Sequence, residues 1–350
     1  MEQTNSEAIL VTPGTMEIKP CPVPEPVDDQ VLIEVDTVGI CGSDVHGFQC
    51  GPFIPPKDPN QKIGLGHEYA GVVVGVGPKV TKFKVGDRVC AEPGVPAPNT
   101  HYVLEGRYNI CPTIDFLATQ PNYRGALTHY ITHPEGFVYH LPDSMDMVEG
   151  ALVEPAAVGM HAAMKGGATL GKKIVILGAG CIGLMTLQAC RSLGATEIVV
   201  VDVLQKRLDM AKKLGAAHVV NGKDQDTVAF CKDLFGDDGA DIVFETAGSK
   251  FTCMQALDIV GRGNKIMIVG TISEPVPINF LKINREVTIQ TVFRYCNNYQ
   301  QTIDAISSGA FDVKSMVTHV YDYEDVQRAF DESVNCKADI IKGVIKVKRD

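Results

Sequence analysis

Lys173-Ile174-Val175-Ile176-Leu177-Gly178-Ala179-Gly180-Cys181-Ile182-Gly183 decides the fold class of this chain. An apolar run too short for a helix ends in three spaced glycines, and a helical pattern follows from Ile182 to Leu193. Gly178 permits a tight turn, Gly180 lets the backbone approach a pyrophosphate, and Gly183 permits close packing of helix on strand. The pyrophosphate would then meet unpaired N–H groups at the start of the helix. A lone glycine pattern of this kind is a weak signal. Here the next apolar run, Glu197–Asp202, ends in an acid about 20 residues on, where a dinucleotide fold places the carboxylate that binds the ribose. That carboxylate accepts hydrogen bonds from ribose hydroxyls and repels a 2′-phosphate, which favours NAD over NADP. Arg207 can stack on the adenine or serve as a solvated helix charge.

Working outward, strands and helices alternate. Leu204 to Leu214 is helical, with apolar Leu204, Leu208, Ala211 and Leu214 on one face. His218 to Asn221, Asp241 to Glu245, Lys265 to Gly270 and Val287 to Phe293 read as further strands. Most of these runs are apolar throughout, as strands covered on both faces must be. The pattern predicts an α/β chain with a doubly wound, Rossmann-type parallel sheet over 156–294. Residues from about 7 to 150 are β-rich, with strands at Val31 to Val35 and Ala70 to Val74 and loops at Asn60 to Gly66 and Ala91 to Tyr108. The tail holds a helix around Asp325 to Val334 and a strand at Gly343 to Val347, expected to return to the first domain and make it 1–155 plus 295–350.

At 350 residues the chain exceeds what one core usually holds. Its net charge of −10 argues against a nucleic-acid partner, which needs a basic face, and gives no reason for binding an anionic membrane. No apolar run approaches the ~20 residues of a membrane helix. Met1 to Leu10 lacks the basic and apolar regions of a signal peptide, so a cytoplasmic protein is expected. The 11 cysteines are scattered and odd in number, which fits buried thiols in a reducing compartment.

Cys41, His67, Glu68 and Glu154 form the second signal. A thiolate, an imidazole and one carboxylate make a three-ligand zinc site with an open position. With one thiolate and one carboxylate the charge on such a site sums to zero, which leaves a Lewis acid able to acidify an alcohol. Each residue alone has an ordinary explanation. Cys41 suits a core, His67 a turn, and Glu154-Pro155 the first turn of a helix. Their company with a dinucleotide fingerprint points to a metal-assisted redox site.

The chain resembles the zinc-containing medium-chain dehydrogenases almost end to end, and within them the sorbitol (L-iditol), xylitol and related polyol dehydrogenases. The matching stretches are Gly39-Ile40-Cys41-Gly42-Ser43-Asp44-Val45-His46, Gly66-His67-Glu68, Val85-Gly86-Asp87-Arg88-Val89, Gly106-Arg107-Tyr108-Asn109, Glu154-Pro155 and Phe293-Arg294-Tyr295-Cys296-Asn297. The resemblance implies a GroES-like catalytic domain beside the Rossmann domain. It implies Cys41 and His67 as zinc ligands, with Glu68 and Glu154 competing for the third place and the other contacting zinc-bound water; water held by Glu154 is an alternative catalytic path for the proton. Simple alcohol dehydrogenases carry a second cysteine where Glu154 stands, so this glutamate points to the polyol branch. Ser43 and His46 match the proton relay, Arg294 and Tyr295 the contacts to substrate hydroxyls, and Phe116 and Thr119 the substrate lining. Ile182, Asp202, Arg207, Val269, Thr271 and Phe293 match the NAD contacts, beside Gly178, Gly180 and Gly183. A homotetramer or homodimer is implied as well.

Two departures bear on function. The four cysteines that hold a second, structural zinc in many relatives correspond here to Ala97, Thr100, Val103 and Cys111, so one catalytic zinc and no structural zinc is expected. Gly47 stands where sorbitol dehydrogenases tend to have tyrosine, and the stretch Gln49 to Gln61 is longer than usual. The expected activity is reversible NAD-linked oxidation of a polyol's secondary alcohol to a ketose. Another diol, a cyclitol or a sugar phosphate would be served by the same chemistry. A catalytically silent protein on this fold is disfavoured, since every ligand and relay position is filled.

Overall fold

The computed structural model describes residues 4–58 and 60–348. It divides into two compact units: Met1–Glu154 with Tyr299–Ser307 and Val313–Asp350, and Pro155–Asn298 with Ser308–Asp312. The chain thus re-enters the first unit at Tyr299 and not at residue 295, leaving Tyr295 in the second.

In the first unit a seven-stranded sheet is built around Gln30–Gly39. This strand pairs antiparallel with Glu68–Val76, Tyr130–Pro134 and Lys342–Lys346. Val31, Ile33 and Val35 alternate along it into a core shared with Tyr69, Val73, Val89 and Phe330. Register does the positioning. Gly39 lies opposite Glu68 on one side and opposite Val344 on the other. The strand therefore delivers residues 40 and 41, Glu68 and Lys342 to the same end of the sheet. The loop expected at Asn60 to Gly66 includes a short strand, Ile63–Gly64, and the one expected at Ala91 to Tyr108 includes the helix His101–Leu104, capped by Thr100.

The second unit holds a six-stranded parallel sheet in the spatial order His218–Asn221, Glu197–Asp202, Lys173–Leu177, Ala240–Glu245, Val260–Ile268, Thr288–Thr291. Ile174, Val175, Ile176 and Leu177 are fully buried. Each such side chain contributes about 1.5–3 kcal/mol on leaving water, which is why these runs are apolar throughout. Helices Cys181–Ser192, Gln205–Lys213, Thr227–Phe235 and Lys250–Ile259 alternate with the strands. Strand order reverses between Lys173–Leu177 and Ala240–Glu245, the switch point at which open α/β sheets bind ligands. Two expected strands end early. The Val269 and Gly270 N–H groups both turn onto the Glu245 carbonyl, so the ladder stops at Ile268, and the next strand stops at Thr291 before Phe293.

Candidate functional site

In the first unit the sheet end gathers Cys41, His67 and Glu68, whose ligand atoms lie within 4.8 Å of one another. Cys41 is the N-cap of the helix Gly42–Cys50 but makes no side-chain cap, so its sulfur is not spent on the helix end. Ser43 Oγ donates to that sulfur at 3.2 Å. His67 is buried, and its Nδ1 sits 3.4 Å from Asp44 Oδ2. Asp44 is fixed in turn by the Gly66 N–H, which donates to Oδ1 at 3.0 Å. Burial opposes charge on His67, yet Asp44 and Cys41 together hold its proton affinity well above the ordinary value. The same pairing keeps the Asp44 carboxyl low despite burial. Asp44 lies against the Nδ1 side of the ring, and Cys41, His67 and Glu68 fit a zinc ion by donor type and spacing.

Glu68 is held from behind. Lys342 Nζ is 2.7 Å from its Oε1 and 2.5 Å from Oε2, and donates to the Ile40 carbonyl at 2.9 Å. Both side chains are essentially excluded from water. Gly39 is required at the crossing, because a Cβ there would overlap Glu68 Oε2. Glu154 stands outside the three-residue group, in the first turn of Val153–Gly166. Its charge acts on Glu92, a second buried acid. Burial raises the Glu92 carboxyl, hydrogen bonds from Tyr108 and Tyr139 lower it and Glu154 raises it, which together leave it at about 7. Tyr139 donates to Glu92 Oε2 at 3.3 Å.

Ser43 and His46 are three residues apart on one helix, hence on one face. The His46 ring stacks on Phe53, with centroids 4.0 Å apart and planes within 9°. Tyr123 Oη donates to the Ile54 carbonyl at 2.8 Å and so ties down the extended Gln49 to Gln61 stretch. Phe116 packs on His67, centroids 5.5 Å apart, and Thr119 Oγ1 donates to the Phe116 carbonyl. In the lobe that keeps Cys111 alone of the four cysteine positions, Thr100 caps a helix turn and Cys111 sits 3.3 Å from the Thr113 hydroxyl.

In the second unit Gly178 and Gly180 lie in the turn between Leu177 and the helix Cys181–Ser192, with Gly180 at its N-cap and Gly183 in its first turn. A Cβ on Gly183 would collide with the Gly178 carbonyl oxygen, so only glycine allows the helix to sit this close. Ile182 lies in the first turn of that helix. Asp202 Oδ2 accepts from the Ala179 N–H at 2.7 Å, and Oδ1 accepts from Val203 and Leu204. The acid thus braces the glycine turn as well as ending the strand. Arg207 lies 3.9 Å from Asp202. Val269 and Thr271 flank Gly270 in the loop after Ile268. Arg294 adopts φ +52°, a left-handed conformation uncommon outside glycine, with its guanidinium over the Phe293 ring at 4.7 Å. Tyr295 is buried.

Residues 27–143 match the alcohol dehydrogenase GroES-like domain, and residues 181–308 match the zinc-binding dehydrogenase domain. The chain is 70% identical to an uncharacterized zinc-type alcohol dehydrogenase-like protein, YdjJ, of Escherichia coli (strain K12), covering 98% of this chain and 99% of that one. The chain belongs to the zinc-binding alcohol dehydrogenase family. This dehydrogenase is also 39% identical to the sorbitol dehydrogenase of Bacillus subtilis, over 99% of this chain and 98% of the relative. A crystal structure of an Escherichia coli oxidoreductase of unknown specificity involved in membrane biogenesis superposes at a TM-score of 0.98, with 69% identity over 99% and 100% of the two chains. The family confirms the resemblance to medium-chain zinc dehydrogenases near the polyol branch and the pairing of GroES-like and Rossmann folds. Among the described residues no helix is long and apolar enough to cross a membrane.

Sequence reading missed Lys342, Asp44, Glu92 and Phe53 as parts of the first unit's site. Asp44 was inside the quoted Gly39–His46 stretch, and its two-residue offset from helix-entry Gly42 was a usable signal. Lys342 is a lysine opening an otherwise apolar strand, a weaker one.

Proposed function

We propose that this dehydrogenase oxidises a secondary alcohol of a polyol to the ketose, reversibly, with NAD and one catalytic zinc per chain. The convergence of Cys41, His67 and Glu68, with Asp44 bracing the imidazole, carries the reading. Cys41 and His67 would hold the zinc, and Glu68 and Glu154 compete for the third position. The hold of Lys342 on Glu68 favours Glu154. When bound, the metal supplies a Lewis acid that lowers the pKa of an alcohol, and the nicotinamide supplies the hydride acceptor. The chain's own residues do the rest. Asp44 fixes the His67 ring. Ser43 takes the substrate's proton and passes it towards His46. Phe116 and Thr119 line the substrate, and Arg294 and Tyr295 are assigned to its hydroxyls, a rigid guanidinium suiting several acceptors at once. Gly178, Gly180, Ile182, Gly183, Asp202, Arg207, Val269, Thr271 and Phe293 are assigned to NAD. Likeness to a sorbitol dehydrogenase supports the polyol class. We also place the enzyme in the cytoplasm as a homodimer or homotetramer. Among the described residues the strand Thr288–Thr291 pairs on one side only, and Phe280 and Leu281 nearby in sequence are exposed.

The test is zinc analysis of the purified protein, followed by NADH formation with sorbitol, xylitol, galactitol, butanediol, cyclitols and phosphorylated polyols. About one zinc per chain, as a catalytic site requires, is expected, and a second tightly held zinc would falsify the reading of the lobe around Cys111. Free polyols should react fastest, with NAD preferred over NADP by about tenfold or more because Asp202 repels a 2′-phosphate. Fastest rates on a phosphorylated sugar or a cyclitol would overturn the polyol assignment and keep the dehydrogenase.

Phe53 gives a separate prediction. It is 61% exposed yet stacked on His46, so it presents an apolar face beside the proposed relay. Phe53→Ala is expected to raise the polyol KM by roughly threefold to tenfold with a smaller change in kcat, the signature of lost uniform binding. Steady-state kinetics decide it, and an unchanged KM would remove Phe53 from the substrate's path.

A further inference from the structure

Glu245 ends the strand Ala240–Glu245 beside the switch point and is fully buried. Such a carboxylate needs a reason. Its Oε1 accepts from the N–H groups of Ala247 at 3.1 Å, Gly248 at 2.9 Å and Ser249 at 3.4 Å, and from the Thr252 hydroxyl at 2.7 Å. Its main-chain carbonyl accepts from Val269 and Gly270, each at 2.9 Å. One residue therefore ties two loops together, the 246–249 turn through its side chain and the 269–271 loop through its backbone. The loops meet directly: a Cβ on Gly270 would collide with the Gly248 nitrogen and come within 2.7 Å of Glu245 Oε2. Oε2 itself has no hydrogen-bond partner among the described residues. All the bonding is asked of Oε1.

The register shows what this clamp controls. Leu177, Glu245 and Ile268 lie side by side at the ends of their strands. The glycine turn follows the first, and the loop with Val269 and Thr271 follows the last. The glycine turn is braced chiefly by Asp202, which binds the Ala179 N–H, and Thr246 adds a hydrogen bond to the Gly178 carbonyl at 2.8 Å. The 269–271 loop takes its backbone bonds from the Glu245 carbonyl and packs on the 246–249 turn at Gly248, and it is that turn which the Glu245 side chain holds.

We propose that Glu245 is a positioning residue of the nicotinamide half of the cofactor site: its side chain holds the 246–249 turn on which the 269–271 loop rests, while Asp202 carries most of the hold on the adenosine half. This rests on the assignment of Val269 and Thr271 to the cofactor made above. A preorganised loop spares the ordering cost of binding, and its loss falls on the part of the ligand that the loop receives.

The test is calorimetric titration of the zinc-loaded enzyme with NADH and, separately, with ADP-ribose, which lacks the nicotinamide. Glu245→Ala is expected to weaken NADH by about tenfold or more while ADP-ribose changes by less than about threefold. Glu245→Gln keeps the Oε1 acceptor, and burial already raises the proton affinity of this carboxyl, so NADH binding should stay within about threefold of wild type. Equal losses of NADH and ADP-ribose, or no loss of NADH, overturn the proposal. Should Glu245→Ala fail to fold, Thr252→Val removes one donor from the same oxygen. It should weaken NADH by about threefold and leave ADP-ribose unchanged, and no effect there also overturns the proposal. Wild-type enzyme that binds neither ligand would instead refute the cofactor reading, and the proposal with it.

Discussion

Cys41→Ser is expected to lower turnover by at least about a thousandfold while leaving NADH affinity within about threefold. The thiolate is the soft member of the Cys41, His67 and Glu68 group, and a serine hydroxyl stays protonated near neutral pH and binds zinc far less well. Metal content should therefore fall with activity. The dinucleotide side has no stake in the change. Gly178 to Gly183 and Asp202 belong to the second unit, whose core of Val175, Leu177, Val199 and Val243 is its own. Zinc analysis, kcat and an NADH titration on one preparation separate the outcomes. Loss of NADH binding together with zinc would mean that Cys41 serves the fold rather than the metal.

Lys342→Met should show its largest effect in the protein without metal. Among the described residues the ammonium is the only cation in an ion pair with Glu68, and both groups are buried. Removing one partner of a buried pair strands the other charge and costs about 3–5 kcal/mol. In a protein of this size that corresponds to a fall in melting temperature on the order of ten degrees. Zinc held by Cys41 and His67 puts positive charge back beside the Glu68 carboxylate. The loaded variant should accordingly lose less than about half as much. Thermal unfolding with and without zinc is the measurement, and equal losses in both states would show that Glu68 does not sense the metal.

The legible parts of this protein were those whose signal is local. Lys173–Leu177, the glycine turn and Asp202 lie within one strand–helix–strand unit, so spacing alone was enough. Cys41 and His67 were legible because the stretches around them match a family pattern. The parts that were not legible depend on register between distant segments. Lys342 reaches Glu68 only because Lys342–Lys346 pairs with Gln30–Gly39, which in turn pairs with Glu68–Val76. Periodicity marks both ends of that pairing as strands and says nothing of which residues face each other. Val269 was read as strand because its neighbours are apolar, and the Glu245 carbonyl that pulls it out of the ladder is a tertiary feature. The contact of Phe53 with His46 comes from a loop, where no repeat constrains side-chain direction.

The strand that carries Lys342 also sets an order of events during synthesis. Glu68 leaves the ribosome 274 residues before its counter-charge does. At about 5–20 residues per second, that interval is on the order of ten seconds to a minute. Through all of it the sheet around Gln30–Gly39 lacks one neighbour, and an acid meant for the interior has no cation. The nascent first unit is therefore the vulnerable half of the molecule, while the second can close its own parallel sheet as it emerges.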